Sequence, residues 1–567
     1  MIKTQIKPYG SWASPISGAA LVQSSLRLGQ IQINDSKVYW SEGRPAEKGR
    51  TALMYWSEGE TLEQTPTHAD VRTRAHEYGG GAFLVQARRQ FYVDNQDQQI
   101  YEIEKGEDPH QLTQNPDFRY ADFILDQKRK LLYAVGEDHS DPQNVENVLL
   151  RISLEDHEQT VIACGHDFYS NPQLSPDGSQ LLFLVWDHPQ MPWDGTELWL
   201  ADLDKNGDVL EQQLIAGGKN VSIFQPLWDP DGSFYFVSDL NGWWNIYHQS
   251  NGEGVNILQL EAEFGLPQWV FGMSTYAVLG TGDLIAIYRD GRGSHLIRID
   301  VARGGNTPVD LPFTHIDQLR GSGNLVAFLG ISPDQPGVVA ALELRQGELH
   351  ILQKAAVTDI SEAFISVAQH MQFETGPDEL SHAWFYPPKN PDYKAAPEDK
   401  PPLIVLSHGG PTAYTSSGFS LAIQYWTTRG FAIVDVNYSG STGFGRKYRE
   451  RLKGTWGIRD VKDCSAAAQY LAQQGHVDGE RLIIKGGSAG GYTTLTALTF
   501  TNVFKAGASY YGVGDLTLLA SDTHKFESRY LDGLVGPYPE EKQTYLDRSP
   551  LNHTEKLNCP VIFMQGL

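Results

Sequence analysis

Three turn-like segments recur in the first half of the chain at nearly equal intervals. "PQLSPDGSQLLFLVWD" (172–187) carries a Pro-Asp-Gly turn and then an apolar run. "PLWDPDGSFYFVSDLNGWWNIY" (226–247) repeats the order: a turn at Pro230-Asp231-Gly232, a strand, a turn at Asn241-Gly242, a strand. "ADFILDQKRKLLYAVGED" (121–138) is a weaker copy, and the corresponding aspartates, Asp126, Asp177 and Asp231, are 51 and 54 residues apart. Such turns join antiparallel strands. A period of about 50 residues filled with short strands predicts a propeller blade of about four strands, and roughly 340 residues at that period give about seven blades. The alternative, one large β-sandwich, leaves the repeated turns to chance. The aromatic cluster Trp228, Phe234, Tyr235, Phe236, Trp243 and Trp244 reads as blade core rather than as a side-chain pocket.

Near residue 385 the pattern changes. "YPPKNPDYKAAPEDKPP" (386–402) is a polar, Pro-rich connector. Beyond it lie continuous apolar runs at 403–406, 431–436, 482–484, 506–511 and 561–564. Helix-like stretches separate them, as at 461–473, where Val461, Cys464, Ala468 and Leu471 fall at helical spacing. Strands apolar on both faces that alternate with helices predict a mostly parallel sheet covered on both sides. The expected organisation is an N-terminal segment (1–30) packing on the second domain, a β-propeller (31–370) and an α/β-hydrolase domain (371–567).

Composition narrows the function. A net charge of −24 over 567 residues argues against a broad nucleic-acid surface, which needs clustered Lys and Arg. No run approaches 18 apolar residues, so no membrane span is expected. The start, MIKTQIKPYGSW, lacks the apolar core of a signal peptide. Cys164, Cys464 and Cys559 lie far apart, which favours neither a disulfide framework nor a zinc cluster and fits a reducing cytoplasm. The expectation is a cytoplasmic protein with no metal, no organic cofactor, no nucleic-acid partner and no membrane partner.

The chemistry concentrates at "KGGSAGGYTTLTALTF" (485–500), which follows the apolar run Leu482-Ile483-Ile484. Ser488 in the frame Gly486-x-Ser488-x-Gly490 fits a strand-to-helix turn that presents a nucleophile. The glycines have a reason, because the turn is tight and side chains at Gly486 or Gly490 would clash. The bland reading is a Gly-rich turn whose serine caps a helix. Attack by Ser488 would put negative charge on a carbonyl oxygen, and N–H donors must meet it. One is expected from Ala489, the residue after the nucleophile. The other is expected from Gly409 and Gly410 in "LIVLSHGGPT" (403–412), with His408 shaping that loop rather than moving protons.

The segments "HGGPT", "VDVNYSGSTGFGRKY" (434–448), "GTWGIRDVKDC" (454–464) and "GGSAGGY" (486–492) together resemble the prolyl oligopeptidase family of serine peptidases, in its branch of acylaminoacyl-peptidases and dipeptidyl-peptidase-like enzymes. The resemblance covers the chain from about 373 onward. It implies a propeller capping a hydrolase domain and cleavage of short peptides or blocked amino acids. It also implies Ser488 as nucleophile, with the oxyanion held by the 408–411 loop and Ala489. The sequence departs from the commoner family spelling at Ser439, where an Arg often follows the Asn-Tyr pair.

The triad order in this fold is Ser, then Asp or Glu, then His, and 79 residues follow Ser488. "NCPVIFMQGL" (558–567) reads as the strand before the acidic loop, so the triad Asp and His are expected beyond Leu567. On that reading the hydrolase domain is truncated before its last strand, and residues 1–567 alone are expected to be nearly inactive. Asp515, Asp522, His524 and His553 precede that strand and are not expected to substitute. Glu77, in "RTRAHEYGGGAFLV" (72–85), is a candidate ligand for a substrate's free amino terminus, the alternative being a solvated turn residue. His76-Glu77 is not a zinc motif, since no His follows at the required spacing.

The sequence therefore describes a serine peptidase acting on short peptides or on N-blocked or aminoacyl substrates, with a propeller restricting access. Two alternatives stay open: an esterase or amidase on small molecules, and a propeller binding module with a dead hydrolase domain. The partner is a short peptide or small acyl substrate, and a homo-oligomer is left open.

Overall fold

The computed structural model describes all residues except 1–3, 23–24, 87, 105–107, 251, 281 and 567. Seven four-stranded sheets occupy 27–63, 83–111, 118–163, 168–218, 223–256, 276–309 and 315–354, each made of four consecutive strands. These are the seven blades of a β-propeller. The first blade begins at Arg27, four residues before the expected boundary. The Pro-Asp-Gly turns lie where the repeat put them, directly before the strands Gln180–Trp186 and Phe234–Ser238.

Among the described residues no strand of blade 1 pairs with blade 7. The ring closes through the Leu26 N–H, which donates to the Ala355 carbonyl at 2.8 Å, and through apolar packing of Ile31, Val38 and Trp40 on Val339 and Ala341. In the aromatic run, Phe234, Tyr235, Phe236 and Trp244 are buried. Trp228 is half-buried and donates its indole N–H to Gln173 at 2.9 Å.

The second domain is one seven-stranded sheet, and its elements are numbered here. The strands are β1 (Gln369–Gly376), β2 (Glu379–Tyr386), β3 (Leu403–Ser407), β4 (Ala432–Asn437), β5 (Leu482–Gly487), β6 (Ala506–Tyr510) and β7 (Val561–Met564). Their order is β1-β2-β4-β3-β5-β6-β7. β1, β2 and β4 pair antiparallel, and every other neighbour pair is parallel. The sheet starts at Gln369, two residues before the expected boundary.

Both faces are covered, which is why the strands read as continuous apolar runs. Helix α1 (Leu421–Thr427) lies over Ile404 and Ile433. Helices α2 (Arg459–Gln473) and α3 (Ala489–Phe500) pack on the opposite face with Leu403, Val405 and Val434. The connector contributes one short pairing, Tyr393–Lys394 against Gln5–Ile6, which lays the N-terminal segment along this domain. Ser14 Oγ and Thr428 Oγ1, 2.7 Å apart, add to that contact. Among the described residues no helix is long and apolar enough to cross a membrane.

Candidate active site

β5 ends at Gly487 and α3 begins at Ala489. Ser488 lies between them with φ 53° and ψ −122°. That left-handed backbone costs a non-glycine residue about 1–3 kcal/mol and persists only where its surroundings over-determine it. Two bonds do so here: Ser488 N–H donates to Tyr510 O at 3.0 Å, and Tyr492 N–H donates to Ser488 O at 3.0 Å. The flanking glycines are obligatory for packing. A Cβ on Gly486 would meet Ser407 Oγ at 2.5 Å and overlap the Gly490 carbonyl, and one on Gly490 would overlap the Ser407 carbonyl oxygen. The Ser488 side chain does not cap α3, and the residue is exposed. It therefore stands at the tip of the turn with a free hydroxyl.

The loop after β3 runs beside it. A Cβ on Gly409 would lie 3.7 Å from Ser488 Cβ. Among the described residues, the N–H groups of Gly409, Gly410 and Ala489 are bonded to no acceptor. An exposed hydroxyl with the Gly409 backbone beside it and the unbonded Ala489 N–H directly after it is an arrangement able to attack a carbonyl and hold the resulting oxyanion. His408 faces away from this space. Its Nδ1 is 2.8 Å from Gly409 O, its Nε2 is 2.8 Å from Ser441 Oγ, and its ring stacks on Tyr438 at 4.2 Å. Burial pushes its pKa down to about 4, so it stays neutral and its nitrogens serve the loop.

No histidine or carboxylate among the described residues bonds to Ser488 Oγ. Asp515 caps a short helix through the Thr517 and Leu518 N–H groups. Asp522 is exposed after that helix. His524 pairs with Glu527 at 3.4 Å, and His553 with Glu555 at 3.9 Å.

Glu77 lies on the wall of a cavity of about 820 Å³ between the propeller and the second domain. Arg119 Nη1 donates to its carboxylate at 2.6 Å and lies 3.8 Å from Glu137. Burial works to raise the Glu137 carboxyl, but the His139 hydrogen bond, His76 and Arg119 outweigh it and hold it below the ordinary value. His76 is fully enclosed, and burial takes it down to about 4. The opposite wall is the 523–528 segment, with Lys525 and Phe526. Ser488 does not itself line this cavity. An aromatic series connects the two regions: Tyr78 lies 5.3 Å from Trp269 and 6.0 Å from Phe526, and Trp269 lies 5.6 Å from Tyr530.

Sequence reasoning missed Arg119, Glu137 and Tyr511. The last is 63% exposed with φ 39°, and its hydroxyl would be 3.0 Å from a Cβ on Gly487. Its place after the end of β6 was a usable signal, because ligands bind outside the carboxyl ends of parallel strands.

Residues 417–567 match the model of the prolyl oligopeptidase family. A solved Mycobacterium tuberculosis puromycin-hydrolyzing peptidase is 37% identical to this chain, covers 99% of it with 89% of its own length, and superposes with a TM-score of 0.95. The chain belongs to the prolyl oligopeptidase family. A solved puromycin hydrolase is 34% identical over 98% of this chain and 88% of its own, with a TM-score of 0.94. Among curated relatives, dipeptidyl aminopeptidase BIII of Pseudoxanthomonas mexicana is 35% identical over 171 residues, 29% of this chain and 25% of that protein. The match thus spans about a quarter of that relative's length. Where this prolyl oligopeptidase family chain carries Ser439, the residue is buried and its N–H donates to Asp463 at 2.7 Å.

Proposed function

We propose that this family member hydrolyses short peptides and aminoacyl amides through an acyl-enzyme on Ser488. The observation that carries the reading is the exposed, left-handed Ser488 beside the free N–H groups of Gly409, Gly410 and Ala489. Attack by Oγ forms the C–O bond as its proton passes to a general base, which returns it to the departing amine nitrogen when the C–N bond breaks; no such base contacts Oγ among the described residues. The carbonyl oxygen takes the charge and moves toward the three donors. Collapse expels the amine, and water then releases the acyl group.

Glu77 is assigned the free amino group of the substrate. The carboxylates lining the cavity, Glu77, Glu137, Glu146 and Asp167, outnumber its cations Arg119 and Lys525, which suits an ammonium group. Phe526, which lines the cavity with Tyr78 and Trp269 packed against it, suits a large apolar side chain. Puromycin, named for two relatives, is an aminoacyl amide and falls within this class. The propeller restricts the cavity to short, unfolded substrates, and the expected cellular site is the cytoplasm.

The test uses the full-length protein with phenylalanyl-nitroanilide, its N-acetylated form and a simple acyl ester. The free-amine amide should be turned over best. Ser488→Ala should abolish turnover and fluorophosphonate labelling, and Glu77→Gln should raise KM about tenfold for the free-amine substrate alone. Faster turnover of the ester, with Glu77→Gln silent, would establish the esterase reading instead. Labelling that persists in Ser488→Ala would overturn the assignment of the nucleophile.

A further inference from the structure

The oxyanion loop is held at His408, where the Tyr438 hydroxyl donates to its carbonyl oxygen at 2.8 Å, and, across the domain boundary, at Thr412. Trp269 Nε1–H donates to the Thr412 carbonyl oxygen at 2.7 Å. The Tyr530 hydroxyl oxygen accepts the Thr412 N–H at 3.1 Å and lies 2.7 Å from Thr412 Oγ1. Tyr530 is buried in the second domain, in the helix Tyr530–Leu534. Trp269 belongs to the propeller, in the segment between blades 5 and 6. A third ring, Trp193 from blade 4, packs on both, at 4.5 Å from Trp269 and 5.5 Å from Tyr530. The loop that carries Gly409 and Gly410 is therefore anchored on a side chain that its own domain does not supply.

We propose that Trp269 is a positioning residue for the oxyanion donors, so that oxyanion binding requires a docked propeller. This rests on the reading of Ser488, Gly409 and Gly410 given above. The physical reason is the loop's composition. Two consecutive glycines allow the chain many conformations, and N–H groups without protein acceptors are free to turn toward water. The Thr412 clamp removes that freedom two residues downstream of Gly410. Misplacing a reacting or stabilising group by about 1 Å costs about 10²-fold in rate, and losing one oxyanion donor costs about 10²–10³ in kcat. Loss of the indole N–H, with the aromatic ring kept, should fall at or below the first figure. Tyr78, which directly follows Glu77, touches Trp269 at 5.3 Å, so the same indole lies between the assigned amine site and the loop.

The experiment compares wild type, Trp269→Phe, Tyr530→Phe, the double variant and Ser488→Ala in the full-length protein. Trp269→Phe should lower kcat on phenylalanyl-nitroanilide about 10–100-fold with KM within about threefold. It should weaken a peptide aldehyde, whose adduct carries the oxyanion, by the same factor. The double variant should lose less than the product of the two single losses, because both side chains act through Thr412. Exchange of the Thr412 amide, whose N–H is bonded to Tyr530, should accelerate in Trp269→Phe, a readout that needs no turnover. Unchanged exchange at Thr412, or a loss confined to KM, would overturn the proposal. Should Trp269→Phe fail to fold, Trp269→Tyr, which also lacks the indole N–H, decides by the same two measurements. Ser488→Ala separates the failures. Turnover retained there sinks the underlying reading, whereas an inactive Ser488→Ala beside a fully active Trp269→Phe sinks this inference alone.

Discussion

His408 illustrates how one side chain can be essential to a site without moving a proton. Nδ1 faces a carbonyl oxygen, so it must carry the hydrogen, and Nε2 then accepts from the Ser441 hydroxyl. This tautomer is assigned from the bonding pattern. Burial lowers the pKa to about 4, against only a modest opposing pull from the Gly409 carbonyl. The linkage has a definite sign. In the unfolded chain the imidazole takes a proton below about pH 6.5, whereas the folded protein refuses it until about pH 4. The unfolded state binds more protons across that window, so stability falls as pH falls through it. The contribution is fully present above about 6.5 and amounts to about 3 kcal/mol at most. In denaturant titrations, the stability advantage of wild type over His408→Asn should shrink by about 2–3 kcal/mol between pH 7 and pH 4. A difference that stays constant with pH would show that the folded protein protonates His408 as readily as the unfolded chain does.

At the scale of elements, the inner strands of the blades share a device that the repeat did not reveal. Register shifts interrupt the first strand pair of five blades, at 28–31, 121–124, 170–173, 224–227 and 317–320. In four of them the bulge holds a left-handed residue: Asp122 (φ 59°), Asn171 (φ 52°), Gln225 (φ 48°) and Gln318 (φ 54°). A bulge bends a strand and sharpens its twist, and here each one sits on the strand that lines the propeller axis. None of these residues is glycine, so nothing local marked them. The Pro-Asp-Gly turns were legible because three adjacent residues dictate them, and the Ser488 turn was legible for the same reason. Arg119, Glu137 and Trp269 were not, because which blade loops face the second domain is settled by packing across long sequence distances. Gln318 gives the cleanest test, since its side chain makes no hydrogen bond among the described residues. Gln318→Gly should leave stability within about 1 kcal/mol, while Gln318→Val should cost about 1–3 kcal/mol because a β-branched residue resists φ > 0. Equal thermal midpoints for the two variants would mean that the bulge relaxes rather than resists.

On the scale of the whole molecule, the segment "GSTGFGRKYRERL" (440–452) explains how two domains become one body. Arg446 and Arg449 both reach the propeller carboxylate of Asp239, at 2.7 and 2.5 Å. Glu263, also from the propeller, accepts the Gly443 and Gly445 N–H groups at 2.5 and 3.1 Å and lies 3.7 Å from Arg449. Arg449 covers the Trp244 ring at 4.2 Å and donates to Trp193 O at 3.1 Å. Burial raises the Glu263 pKa, with Arg449 opposing it. The two carboxylates and two guanidiniums balance in charge and are almost wholly buried. Such a cluster adds little over an apolar seam, but removing one member strands a buried charge, at about 3–5 kcal/mol. Arg449→Met should therefore split thermal unfolding into two transitions and increase the radius of gyration in solution scattering. Arg449→Met/Glu263→Gln should recover part of the loss, since the second change removes one stranded charge. Trp193 belongs both to this cluster and to the aromatic contact on Trp269. Opening the cluster should then slacken the Thr412 clamp, and kcat should fall in Arg449→Met together with the scattering change. A single transition at the wild-type midpoint would show that the propeller is held elsewhere and that the arginines are incidental to docking.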